Sequence, residues 1–224
     1  MFKSIDGEIF VFHTGMEPAQ LDRHIKVESM TSEEIRRLRL CNVDLTETFL
    51  PLNTFEEVLE HLKNKCILNL DRSIKILDDV MKIVNKHNMA DQVLKSDPSD
   101  ASLKMVETFA PKVDYMPIFM EEDVASEKIE NMNINYIGAE LVFKSESSSI
   151  AQDSYIDMMH KKGRILWGNS IVYSSRVPLA AGHNDDISLT GDPEDGWGWL
   201  AKKGFDIIQT DWTHHCVNYL RNRY

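Results

Sequence analysis

Lys65-Cys66-Ile67-Leu68-Asn69-Leu70-Asp71-Arg72 is a short apolar run that breaks off in an acidic and a basic residue. A continuous apolar run of this length suits a parallel strand covered on both faces. In parallel α/β folds, ligands and catalytic groups collect where such strands end. The stretch therefore predicts a buried strand that carries Asp71 to its carboxyl end. The structural alternative for Asp71 is a cap on the next helix, because Ser73-Ile74 and Asp78-Asp79-Val80-Met81 follow at helical spacing.

Downstream of Asp71 the pattern alternates. A helix from about Ile74 to Lys86 leads to a strand over 92–96 that carries Lys95 near its end. Helices near Ser102 to Phe109 and Val124 to Asn131 alternate with strands over 113–119 and 136–143, the latter carrying Glu140. A helix around Ile150 to His160 leads to the strand Arg164 to Asn169, which contains Trp167. A helix from Gly198 to Lys203, a strand from Phe205 to Asp211 and a closing helix from Thr213 to about Arg221 complete the chain. Strand and helix in strict alternation predict a parallel α/β fold. The Gly- and Asp-rich stretch 181–195 is the longest break. Because it follows a strand, it is expected to be a lid or specificity loop on the catalytic face. No linker interrupts the chain, so a single domain over 1–224 is expected.

Upstream, the Asp6-Gly7 turn feeds a β-rich run, Glu8 to His13, that ends on a histidine. A histidine where a strand hands over to a loop can act as acid or base near neutral pH, although a lone one is more often only hydrogen-bonded. Thr31 and Glu34 form a Thr-x-x-Glu capping box that opens a helix expected to run through Leu40. Thr54 and Glu57 repeat the device ahead of the apolar stripe Phe55, Val58, Leu59 and Leu62.

At 224 residues the chain is long enough to bury a substantial core. Its formal charge of -11 argues against nucleic acid and anionic membrane surfaces as partners. The three cysteines, Cys41, Cys66 and Cys216, show no metal-type spacing, and an odd number cannot all pair within one chain. No apolar stretch approaches the roughly 18 residues of a membrane span, and no apolar leader opens the sequence. As written, the chain is expected in the cytoplasm, or in the periplasm or outside the cell if a signal peptide precedes it.

Several expected strands finish on residues that bind or react: His13, Asp71, Lys95, Glu140, Trp167 with Asn169, and Asp211. Acids mixed with His and Lys on one rim suit a divalent cation and an anionic substrate. Each residue also has a plainer reading. Glu140 can pair with Lys95 inside the fold, Trp167 can be core, Asp211 can cap the last helix, and Asn184-Asp185-Asp186 can be solvated.

Five segments, in this order, resemble the glycerophosphodiester phosphodiesterase family. They are Lys3 to His13, like its lysine-x-x-Asp-Gly strand running into a catalytic histidine; Pro51 to Leu59, like its Thr-x-x-Glu-Val-Leu helix; Leu68 to Asp71; Leu166 to Asn169; and Gly204 to Asp211. The resemblance implies a (β/α)8 TIM-type barrel that hydrolyses glycerophosphodiesters to an alcohol and glycerol 3-phosphate with bound Mg2+ or Ca2+. It implies His13 as the second of two catalytic histidines, Asp71 as a metal-binding carboxylate where the family has Glu, and Trp167 as an aromatic wall against glycerol. Lys95 and Glu140 join as substrate-binding candidates without a motif of their own.

The family opens with a His-Arg strand, a helix and a Glu-x-Asp strand, whereas this sequence starts at the Asp-Gly turn and has Thr14 after His13. The expectation is thus a barrel without its first strand-helix unit and second strand, from a truncated reading of a longer gene or a decayed member, with a weak cation site. A homo-oligomer covering the open edge would be one remedy. The alternative function is a noncatalytic barrel that binds a phosphorylated ligand or a partner chain.

Overall fold

A computed structural model describes residues 1–172, 174 and 176–223. In chain order its elements are β1 Phe2–Lys3, β2 Ile9–Phe10, α1 Glu17–Gln20, α2 Ser32–Arg36, β3 Arg39–Cys41, β4 Glu47–Pro51, α3 Phe55–Leu62 and α4 Leu77–Lys86. There follow β5 Val93–Ser96, α5 Asp100–Phe109, β6 Asp114–Met120, α6 Ser126–Glu130, β7 Gly138–Val142, α7 Asp153–Lys161 and β8 Ile165–Asn169. The last are α8 Asp185–Thr190, α9 Trp197–Lys203, β9 Ile207–Gln209 and α10 Thr213–Arg223. By Cα proximity they form two compact units, one of Met1–Leu94 with Met105–Val113, the other of Lys95–Lys104 with Asp114 to the C-terminus.

The first unit is built on short antiparallel pairs, β1 with β2 and β3 with β4. Phe2, Phe10 and Phe12 pack with Leu21, Val27, Ile35, Leu38 and Leu52. Phe2 stacks on Phe10 at 5.8 Å and meets Phe12 edge-on at 6.5 Å, both favoured aromatic geometries. Both capping boxes form as expected. Glu57 N–H donates to Thr54 Oγ1 at 3.2 Å and Thr54 N–H to Glu57 Oε2 at 2.8 Å, and Thr31 with Glu34 does the same.

Three expectations for this unit need correction. The stretch Lys65 to Arg72 is no strand: only Asn69 makes an isolated bridge, and Cys66 and Ile67 are exposed. The physical reason is a missing ladder. Asn64 turns the chain at a left-handed φ of 60°, and the Leu68 N–H is taken by the Gln92 side chain at 2.7 Å. The helix expected through Leu40 stops at Arg36, because Arg39 to Cys41 pair with Glu47 to Pro51 as a hairpin. The strand expected to end on His13 is confined to Ile9–Phe10.

The second unit carries a five-stranded sheet in the order β5-β6-β7-β8-β9. The pairs β6–β7, β7–β8 and β8–β9 are parallel, with Glu140 opposite Trp167 and Asn169 opposite Gln209. Intervening helices make this the expected α/β pattern, and Gly138 to Leu141 are buried without a break, as in a strand covered on both faces. Gly138 must stay small, since a β carbon there would overlap the Ile165 carbonyl oxygen across the ladder. Among the described residues, the recorded pairings make one open five-stranded row and two antiparallel pairs, not a closed ring of eight. The stretch 181–195 is not one long loop: it folds into α8 and a 3-10 turn over Pro193–Asp195. No helix among the described residues is long and apolar enough to cross a membrane.

Candidate active site in the parallel sheet

Parallel pairing puts alternate residues of each strand on one face, so Glu140, Trp167, Asn169 and Gln209 share a face of the sheet. Lys95, one residue from the end of β5, reaches the same group. Its Nζ lies 2.6 Å from Glu140 Oε2 and 3.7 Å from the centre of the Trp167 ring. Asn169 Nδ2 donates to the other Glu140 oxygen at 2.8 Å, and the Trp167 indole N–H donates to Gln209 Oε1 at 3.2 Å. Lys95, Glu140 and Asn169 are only 4, 7 and 2% exposed. A charged pair at that depth persists only because each partner is compensated, here by the opposite charge, the aromatic face and an amide.

Two further polar groups lie beside this arrangement in sequence. Ser96 Oγ and the Tyr115 hydroxyl lie 3.0 Å apart, and burial pushes the Tyr115 phenol up to about 12, so it stays neutral. Beyond the ends of β8 and β9, the buried Asp185 gathers four donors. Its Oδ1 accepts from Ser170 Oγ at 2.7 Å, Trp197 Nε1 at 2.8 Å and Thr210 Oγ1 at 2.7 Å, and its Oδ2 accepts from Asp211 N–H at 3.0 Å. Asp185 is thus not solvated, as the sequence suggested, but ties two strand ends to α8 and α9.

Of the residues singled out from sequence, Lys95, Glu140 and Trp167 come together, with Asn169 beside them. Asp211, expected on the rim, is exposed, and Gln209, two residues earlier at the same period, makes the contact with Trp167. Asp185 was missed because an acid in a Gly- and Asp-rich stretch reads as solvated. His13 and Asp71 belong to the other unit. His13 is exposed, with its carbonyl accepting from Met16 N–H at 3.1 Å. The Asp71 carboxylate is half exposed on a turn, 3.8 Å from Nε of Arg72.

A hard divalent cation takes about six or more oxygen ligands, Ca2+ from several carboxylates and carbonyls, Mg2+ from one or two carboxylates with water completing the shell. Asp71, one exposed carboxylate beside a guanidinium, does not supply that. Among the described residues, the three ligand-type side chains that gather within 4.8 Å are Glu56, Glu60 and His87. Their imidazole suits a softer metal than Mg2+ or Ca2+. Glu56 Oε1 is moreover already held by Lys86 Nζ at 2.5 Å and His87 Nε2 at 2.7 Å, bonds that keep its carboxyl below the usual range. Asp71 alone therefore does not build a Mg2+ or Ca2+ site, and Glu56, Glu60 and His87 stand as a candidate metal group whose first carboxylate is shared with Lys86.

Comparison with known proteins adds the fold. A family described as a domain of unknown function matches residues 115–220, which is most of the second unit. No curated protein matches the chain by sequence. A solved glycerophosphoryl diester phosphodiesterase from Parabacteroides distasonis is similar over 98% of this chain and 73% of its own, with TM-score 0.73 and 17% identity. A glycerophosphodiester phosphodiesterase from Agrobacterium tumefaciens is similar over 93% and 80%, with TM-score 0.63 and 17% identity. A protein from Silicibacter pomeroyi described as a putative glycerophosphoryl diester phosphodiesterase is similar over 98% and 81%, with TM-score 0.65 and 16% identity. The chain therefore has the fold of these phosphodiesterases, and at such identity the likeness is one of fold.

Proposed function

We propose that this chain is a phosphoric diester hydrolase that cleaves glycerophosphodiesters to an alcohol and glycerol 3-phosphate. The observation that carries the reading is the meeting of Lys95, Glu140, Trp167 and Asn169 on one face of a parallel sheet whose fold is that of solved glycerophosphodiester phosphodiesterases. In this reading the Lys95 ammonium answers the charge that builds on the phosphoryl oxygens, where a preorganised cation in a dry site is most effective. Glu140 and Asn169 hold that ammonium in place, and the face of Trp167 packs against the glycerol carbons. His13 lies in the first unit, and its role as proton carrier, activating the nucleophile or protonating the leaving alkoxide, rests on the sequence resemblance alone.

The resemblance calls for Mg2+ or Ca2+. The Asp71 turn supplies a single carboxylate to such an ion, so the assay compares both ions with their removal.

The test is release of glycerol 3-phosphate from glycerophosphocholine, glycerophosphoethanolamine and glycerophosphoglycerol, in Mg2+, in Ca2+ and in EDTA. Turnover is expected, with a loss of 100-fold or more in His13→Ala, the usual scale for general acid-base catalysis of roughly 10²–10⁴. Turnover that survives His13→Ala intact would remove His13 from the chemistry.

A further inference from the structure

A cleft of about 300 Å3 opens beside the end of β8. It is lined by Asn169, the residue that holds Glu140, and by side chains of the segment that follows, Val172, Val177, Leu179 and Ile187 among them. Three of these, Val172, Val177 and Ile187, keep 38–39% of their surface exposed. Wet aliphatic side chains around a concavity of this size are the usual lining of a site for an apolar ligand group. Among the described residues, Asp186 is the one ionisable side chain on the lining, so the cleft offers no cation to a phosphate.

The cleft and the Lys95–Glu140 cluster meet at one amide. Asn169 lines the first and donates to the second, and both lie toward the carboxyl end of the sheet, where parallel folds bind their ligands. We propose that the cleft holds the alkyl or acyl chain of an amphiphilic phosphodiester whose phosphate lies toward Lys95. This rests on the hydrolase reading above and narrows it: the preferred diester carries a hydrocarbon chain, and Val172, Val177, Leu179 and Ile187 set that preference.

The experiment titrates the whole chain with butyl-, hexyl- and octylphosphocholine below their micelle concentrations, by calorimetry. These are phosphodiesters without the glycerol, so they report binding apart from turnover. Affinity is expected to rise roughly two- to fourfold per added methylene, the scale set by burying a CH2 group. Val172→Asp and Val177→Asp place charge in the cleft at half-exposed positions; they are expected to abolish the chain-length dependence, so that octylphosphocholine binds no more tightly than butylphosphocholine. The milder Val177→Ala is expected to fall between, and keeps the test decisive if an aspartate variant fails to fold. Equal affinity for the three chains, or a slope unchanged in Val177→Ala and both aspartate variants, overturns the inference. Glycerophosphocholine turnover without a slope sinks the cleft and spares the hydrolase; a slope without turnover of any diester supports the cleft and sinks the hydrolase.

Discussion

Removing Glu140 leaves the Lys95 ammonium buried without a counter-charge. Glu140→Ala is therefore expected to cost about 3–5 kcal/mol, the range for breaking a buried pair from one side. The double exchange Lys95→Met with Glu140→Leu, which leaves no charge behind, is expected to cost far less. Urea midpoints of the two variants compare these costs directly, and equal losses would mean that the pair is not held as described. At Cys216, burial pushes the thiol up to about 11. A thiol-disulfide reagent near pH 8 should label the exposed Cys66 promptly and Cys216 only on unfolding. Asp6 shows a third effect: its carboxylate accepts from Ser32 N–H at 2.8 Å and Ser32 Oγ at 2.6 Å, bonds that lower its pKa to about 2. A lowered folded pKa gives stability that is complete above the unfolded value of roughly 4 and is lost as pH falls through about 2. Asp6→Asn should flatten that acid limb in a stability-against-pH curve and leave no new dependence above pH 5. The site residues divided by how far their signal is local. Lys95, Glu140 and Trp167 stood out because charge or a large aromatic interrupts an apolar strand. Gln209 and Asp185 did not, because their significance comes from partners 42 and 12 to 26 positions away in sequence.

Among the elements, those with local causes were legible. The capping boxes at Thr31 and Thr54 set the starts of α2 and α3, and Thr54→Ala is expected to cost about 1 kcal/mol, read as a shift in thermal midpoint. The alternation that defines β5 to β9 was legible because short apolar runs, such as the buried Gly138 to Leu141, alternate with stretches at helical spacing. The Lys65 to Arg72 stretch has the same composition as those strands. It fails as one because strand formation is a property of a pair, and its Leu68 N–H is satisfied by a side chain instead of a ladder. Arg39 to Cys41 went the other way, continuing a helical pattern by sequence but held extended by a hairpin partner. Gly138→Ala tests the tight pairing of β7 with β8. It should lower the thermal midpoint strongly, and a neutral result would contradict the close approach of Ile165.

For the whole molecule, the net charge of -11 opposes the phosphate backbone of nucleic acid, and among the described residues no helix is long and apolar enough to cross a membrane. Order of motifs conveyed the phosphodiesterase fold, since five short segments in sequence outweigh any one of them. Ring closure is not conveyed by such a pattern, because a closing ladder depends on strands far apart in the chain. The proposal at this scale is chemical, that the polar cluster of the parallel sheet serves phosphodiester cleavage. Phosphorus NMR of glycerophosphocholine incubated with the protein tests it most directly. The diester resonance is expected to give way to the monoester of glycerol 3-phosphate, with this conversion lost in Lys95→Met at retained fold. A diester resonance that persists unchanged with Mg2+, with Ca2+ and with EDTA, or a Lys95→Met variant as active as the parent, would contradict it.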